Sequence, residues 1–447
     1  MLTQHEINRI KCIGGRGQLL TESPWGKIAG LARAGQDGAR ATKVYYASAG
    51  ADERRLVRAS FFTGITGGVL WYVLWLYWGS LSFTSVQIGL MAGTGSLVGV
   101  IAYLIGGYLA DRLGRRNLFL VGLLFTAAGL IMFLTERNVY VFTIAYSLTS
   151  MGGSFAWPSL MALMAEKASP ANMKYFYGVQ GFYNQLGLTI ATFFGIFGPS
   201  FVHGSFDINL TDGYTLVFLI TALCAIPPIV YVLKVSEKGK GSAHLLAHYD
   251  SRMRRILLMY CLQNGMIGMG AAFVIPWFPL IFKSGMGATD EQIALIITLS
   301  NAVIAAGWFI VPKFADVRGS VTLITVCQIA SVVPLLLIPY SSTLLIVVAG
   351  LYTARSFLML VPSPVFNAYV MNVVSEEIRA SFLALGQIAW QVPYSISLAA
   401  AGYLWANNYS KVIPFYIATV LYVASSVVFY VYFRKVRESH FEIKDEV

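Results

Sequence analysis

Charge is what this chain of 447 residues has least of: Asp, Glu, Lys and Arg make up 12% of it, against about 25% in a soluble globular protein. A chain so poor in charge cannot cover a water-facing surface of its own size. Cysteine is scarce as well. Cys12, Cys224, Cys261 and Cys327 form no CxxC pair and no metal-ligand spacing, which excludes a disulfide framework and a structural zinc site. The chain has five histidines, and none is expected inside an apolar run. No cluster of His, Asp and Glu offers acid–base or metal chemistry, so an enzyme is not expected and no cofactor is implied. Residues 1–57 lack an apolar h-region and so are not a signal peptide. They carry too little hydrophobic surface to fold alone and read as a disordered tail, with short helices near Trp25–Arg33 and Asp52–Ala59.

What the chain has instead is apolar length. It is 57% hydrophobic, and apolar runs recur from Phe61 to Phe433, each able to cross roughly 30 Å of hydrocarbon. The pattern predicts an all-α polytopic membrane protein of twelve spans, the first at 58–80 and the last at 412–433. The net charge of +11 follows sidedness rather than a nucleic-acid partner. With the N-terminus inside, segments on the inner side hold 28 Lys and Arg and the outer loops three, Arg137, Lys283 and Lys411. Positive charge concentrates on the cytoplasmic side of membrane proteins, so both termini are expected there, in the plasma membrane.

A short charged turn appears twice. Gly107, Asp111, Arg112, Gly114, Arg115 and Arg116 lie between the second and third spans. Asp316 and Gly319 repeat Asp111 and Gly114 at an offset of 205 positions, and Arg379 repeats Lys174 at the same offset. The chain therefore reads as two parallel repeats, 58–234 and 252–433, joined by a polar linker at 235–251 and followed by a tail at 434–447. Parallel repeats place a binding site between them near the midplane. The first turn fills every position of G-x-x-x-D-R/K-x-G-R/K-R/K, and on it the chain resembles the major facilitator superfamily. That resemblance implies two pseudo-symmetric six-helix bundles that rock about a central site. It also implies a conformational gate in which Asp111 meets the start of the eleventh helix at Glu377–Ser381, with Arg379 as partner. The symmetric gate would bring Asp316 near Lys174–Tyr177.

Arg355 is the one basic residue deep within a span. An arginine there costs at least about 2.5–3.5 kcal/mol, so it should face a cavity and hold a partner. Its planar fork suits a carboxylate or phosphate, which makes it a candidate substrate anchor; a structural role bonded to neighbouring helices stays open. All 21 Asp and Glu fall in tails, loops or span ends, and Glu166 is the nearest to membrane depth, a candidate proton site. Amides seek partners inside a bundle, so Asn184, Gln185, Gln263, Asn264, Asn301, Asn367, Gln387 and Gln391 are candidates to line a polar path or to join helices. Trp71 and Trp75 stand i, i+4 and could present one face to a cavity, while Tyr77 and Trp78 suit an interfacial belt. Pro199 is expected to end the fifth span.

These features favour a transporter of a small organic solute, an organic anion or polar metabolite, acting as a monomer in the bilayer with or without a coupling ion. Drug export and sugar transport remain open, as does a nutrient receptor signalling through the tail.

Overall fold

The computed structural model of the chain describes residues 46, 49–167, 173–237, 250–341, 344–374, 379–406 and 412–436, with the backbone alone at 111, 173–175, 309–318, 368, 371–372 and 379–381. Among these residues there is no strand. The helices form twelve crossings: α1 Ala51–Ser80, α2 Ser85–Leu113, α3 Arg115–Met132, α4 Val139–Lys167, α5 Met173–Phe206 and α6 Leu210–Leu233, then α7 Ser251–Gly285, α8 Asp290–Arg318, α9 Ser320–Tyr340, α10 Leu345–Leu360 continued by Ser363–Val373, α11 Arg379–Leu404 and α12 Ile413–Phe433. Ten of these described helices are long and apolar enough to cross a membrane. The other two, α4 and α11, have 29 and 26 residues. Length is not what sets them apart. Ser, Thr and Gly in α4, and Gln, Ser and Gly in α11, dilute their hydropathy.

Small residues set the helix spacing, because lipid gives apolar helices no hydrophobic reason to associate and close packing must supply it. Between the halves, α2 packs on α11 and α5 on α8. A Cβ added at Gly89 would lie 2.7 Å from the Leu398 carbonyl, and one at Gly93 2.7 Å from that of Ser395. The α2–α11 contact thus depends on residues with no side chain.

The apolar cores reveal the conformation. On the face away from the linker, one core joins both halves: Trp75, Tyr77 and Trp78 of α1 share it with Trp277 and Phe278 of α7 and Trp405 after α11. On the linker face the described residues form two separate cores. One holds Leu56, Phe119, Leu160 and Phe176, all from the first half. The other holds Tyr260, Val361, Tyr369 and Phe433, all from the second. The far face is shut and the linker face is parted.

Three expectations change here. The Asp52–Ala59 segment is helical, but as the opening turns of α1, with Leu56 and Val57 buried in the first-half core; the Trp25–Arg33 helix lies outside the described residues. Helix α5 runs through Pro199 to Phe206, carrying His203 into its last turn. Membrane helices tolerate proline where neighbours re-satisfy the backbone, and Pro199 packs directly against Gly213 of α6. Tyr77 and Trp78 are fully buried rather than interfacial. Tyr77 fits among Phe142, Tyr214 and Phe218, where ring packing outweighs the attraction of the interface.

Candidate functional site

Arg355 is 4% exposed, midway along the first segment of α10. Its Nη2 donates to the Tyr422 hydroxyl of α12 at 2.9 Å, and the guanidinium stands 5.6 Å from the centre of that ring. Its Nε has no hydrogen-bond partner. No carboxylate pairs with it among the described residues. A buried cation without a counter-charge is costly, and a tyrosine supplies only a neutral acceptor. Asn301 of α8, 5% exposed, faces the same region, and its Nδ2 is also unpartnered. Tyr72 of α1 brings a hydroxyl from the opposite half to the side chains of Asn301 and Tyr352, within electrostatic reach of Arg355.

A π-helical turn, Val69–Val73, places Tyr72 there. The extra residue in a π turn shifts every side chain beyond it around the helix, and such turns gather at functional sites. It also separates the expected Trp71–Trp75 pair. Trp71 is 44% exposed, with its ring 6.5 Å from that of Tyr394. Tyr394 in turn stacks on Trp390 at 4.5 Å. Trp75 is buried in the far-face core, 5.2 Å from the Trp277 ring, and closes that face.

The predicted amides divide. Asn184 donates to the Ser60 carbonyl at 3.1 Å and joins α5 to α1. Asn264 donates to its own helix at the Tyr260 carbonyl and to Gln263 Oε1, and Gln263 is buried against α12 through Ser425. These three join helices. Gln387 and Asn367 are exposed, and Gln185 and Gln391 are half-buried; none of these four belongs to the Arg355 cluster. Glu166 sits half-buried at the linker-side end of α4, beside Lys167 and far along the chain from the cluster.

At the motif turn the backbone repeats as the sequence does. Gly114 has φ +87° and ψ 153°, and Gly319 has φ +81° and ψ 141°, a conformation that is nearly glycine-only. The first copy has company that the sequence did not suggest. Glu237, at the start of the linker, accepts from the Arg115 amide at 2.7 Å, and Arg116 Nη1 donates to the Val235 carbonyl at 3.3 Å. A carboxylate at the first turn of α3 meets free N–H groups and the positive end of the helix dipole. Beside it, Ser236 donates to Asp52 Oδ2 at 2.8 Å and accepts from Lys167 at 2.8 Å, and Arg55 donates to the Lys234 carbonyl at 2.8 Å. Arg112 lies exposed, 4.5 Å over the Tyr108 ring, and Gly107 is half-buried. The side chains of Asp111, Asp316 and Arg379, and so the expected clamp, lie outside the described residues. Tyr177 is turned into its own half, donating to the Met161 carbonyl at 3.0 Å.

At the far face, Asp290 of α8 is 5% exposed and accepts from Ser200 of α5 and from Lys283 of α7. It is a buried carboxylate that ties the two halves together.

Two six-helix halves, shut on one face over a cation-bearing centre, define a polytopic membrane transporter. The sequence profile of the Major Facilitator Superfamily matches residues 56–398, and the chain belongs to that family. A curated relative, "Multidrug resistance protein MdtH" of Yersinia enterocolitica serotype O:8, is 27% identical over 115 residues, which is 26% of this chain and 29% of that protein. The chain thus spans under a third of the curated relatives it matches. Among solved structures, a D-xylose-proton symporter aligns with a TM-score of 0.66 at 15% identity, covering 87% of this chain and 97% of that one. A mutant of the nucleoside transporter NupG aligns with a TM-score of 0.66 at 13% identity, covering 86% and 99%. The xylose transporter XylE from E. coli, in a partially occluded inward open conformation, aligns with a TM-score of 0.66 at 12% identity, covering 87% and 98%. These likenesses support the fold.

Proposed function

We propose that the protein carries a small organic anion across the plasma membrane by alternating access, with its linker and both termini in the cytoplasm and no covalent step on the solute. One observation carries this reading: Arg355 is buried between α10 and α12 with a neutral partner and no carboxylate among the described residues. A guanidinium in that position is stabilised when an anion arrives. The parted linker face would then admit solute to the centre, and the shut far face would open in the alternate state. The excess of Lys and Arg on the linker side makes that face cytoplasmic. The protein acts as a monomer in the bilayer in this reading, and a coupling ion is left to measurement.

The test is exchange of radiolabelled organic anions in proteoliposomes, with wild type beside Arg355→Ala and Arg355→Lys. The expected result is exchange of an anion class by wild type and loss of it in both variants, since lysine keeps the charge without the fork. Undiminished exchange in Arg355→Ala would reduce Arg355 to a structural residue. A wild type that exchanges only lipophilic cations would move the reading to drug export. That alternative has one observation of its own, the Trp71–Tyr394–Trp390 ring series.

A further inference from the structure

Buried polar groups in folded proteins are almost always hydrogen-bonded, so each exception asks for a reason. Two exceptions belong to one cluster here: Arg355 Nε on α10 and Asn301 Nδ2 on α8, each in a side chain at least nine-tenths buried. Both atoms are donors. We propose that Arg355 and Asn301 form a two-pronged subsite for a monocarboxylate that carries a second hydrogen-bond acceptor on a flat apolar body, and that Tyr72 closes it from the opposite half. This rests on the organic-anion reading above and narrows it.

The charge balance selects the first group. One guanidinium stands in the cluster without a countercharge. A monoanion neutralises it, a neutral solute leaves it bare, and a dianion leaves a buried negative charge of its own. The shape selects a carboxylate. The Nε edge of Arg355 is free, and one of the two Nη2 protons is committed to Tyr422. Nε–H and the remaining Nη2–H form the planar fork that a carboxylate meets side-on. The Tyr422 hydroxyl, having accepted from Arg355, keeps its own proton to donate.

The second prong follows from the amide. Asn301 faces the Tyr72 hydroxyl, which leaves Nδ2 as an unused donor. A hydroxyl or carbonyl oxygen on the solute would satisfy it. The body of the solute would lie against rings: Tyr422 beneath the guanidinium, then Tyr394 stacked on Trp390. Two prongs on the second half and Tyr72 on the first mean that a bound solute draws α1 toward α8 and α10, which couples binding to rocking.

The experiment is calorimetric binding to the purified full chain in nanodiscs. The probes are benzoate, the three hydroxybenzoate isomers, benzamide, phthalate and phenyl phosphate. The variants are Arg355→Lys, Asn301→Leu and, as a gentler change, Asn301→Ser, each checked for a monodisperse elution profile. The subsite predicts that one hydroxybenzoate isomer binds about tenfold tighter than benzoate, the scale of one satisfied hydrogen bond. Benzamide, phthalate and phenyl phosphate should bind at least tenfold more weakly than that isomer. Both Asn301 variants should erase the hydroxyl preference and leave benzoate affinity unchanged; if leucine prevents folding, the serine variant alone decides. Arg355→Lys should weaken every carboxylate. Dianions binding as well as benzoate, or a hydroxyl preference that survives in Asn301→Ser, would overturn the subsite and leave the organic-anion reading standing. If no carboxylate binds while xylose or tetraphenylphosphonium does, both readings fall.

Discussion

The two faces of this molecule are sealed by different materials. The far face is closed by one dry core, in which Trp75 and Trp277 meet edge to face and Gly89 and Gly93 bring α2 against α11. A single ionic group, Asp290 with Lys283 and Ser200, is buried within that closure. The linker face has two cores that do not merge among the described residues, and its visible polar network stays inside the first half. Packing that is dry and shared must be broken as a unit. Contacts confined to one half move with that half as a rigid body. Opening the far face is therefore the demanding step, while the motif turn and the start of the linker travel together.

The harshest challenge to this contrast is a wedge in the far face. Gly89→Leu leaves no room beside Leu398 and Gly402. It should abolish transport and raise the labelling of a cysteine placed at the far face. Normal transport would contradict the proposed closure. Next in size is Trp75→Ala, which removes a ring wedged between Trp78 and Trp277. A loss of about 3–5 kcal/mol is expected, as for other buried aromatic truncations, read as a lower unfolding temperature in detergent. A change confined to the linker face should do less. Gly114→Ala and Gly319→Ala each force alanine into a strained conformation costing about 1–3 kcal/mol. Gly114→Ala should cost more, because its Cβ would lie 2.7 Å from the Glu237 carboxylate while nothing stands within 4 Å at Gly319. Equal costs would mean that the linker contact contributes nothing. The smallest effect belongs to Glu237→Gln, which trades a charge-assisted bond for a neutral one and should cost about 1 kcal/mol, with far-face labelling unchanged.

Much of this arrangement was readable in the sequence, because hydrophobic length and a repeated turn are local signals. The twelve crossings, the duplication and the depth of Arg355 follow from such signals. Even the shared conformation of Gly114 and Gly319 was implied by a glycine kept at the same offset. The partners of Arg355 were not readable. Tyr72, Tyr352 and Tyr422 are three of 25 tyrosines, and only the fold makes them converge. The π turn that aims Tyr72 has no signature in the residues themselves, so Trp71 and Trp75 looked like one face when they are two. Glu237 read as part of a flexible linker, since its partner is a backbone amide 122 positions away. Asp290 read as a span-end carboxylate exposed to water; its burial depends on α5 and α7 closing over it.

Rocking coupled to solute capture at Arg355 can be read as a distance. Spin labels placed across the two halves at the linker face, measured by double electron–electron resonance with and without the tightest-binding hydroxybenzoate, report it. The solute should shorten this distance in wild type and leave it unchanged in Arg355→Ala. A distance that does not respond to bound solute, or that shortens equally without Arg355, would contradict the coupling.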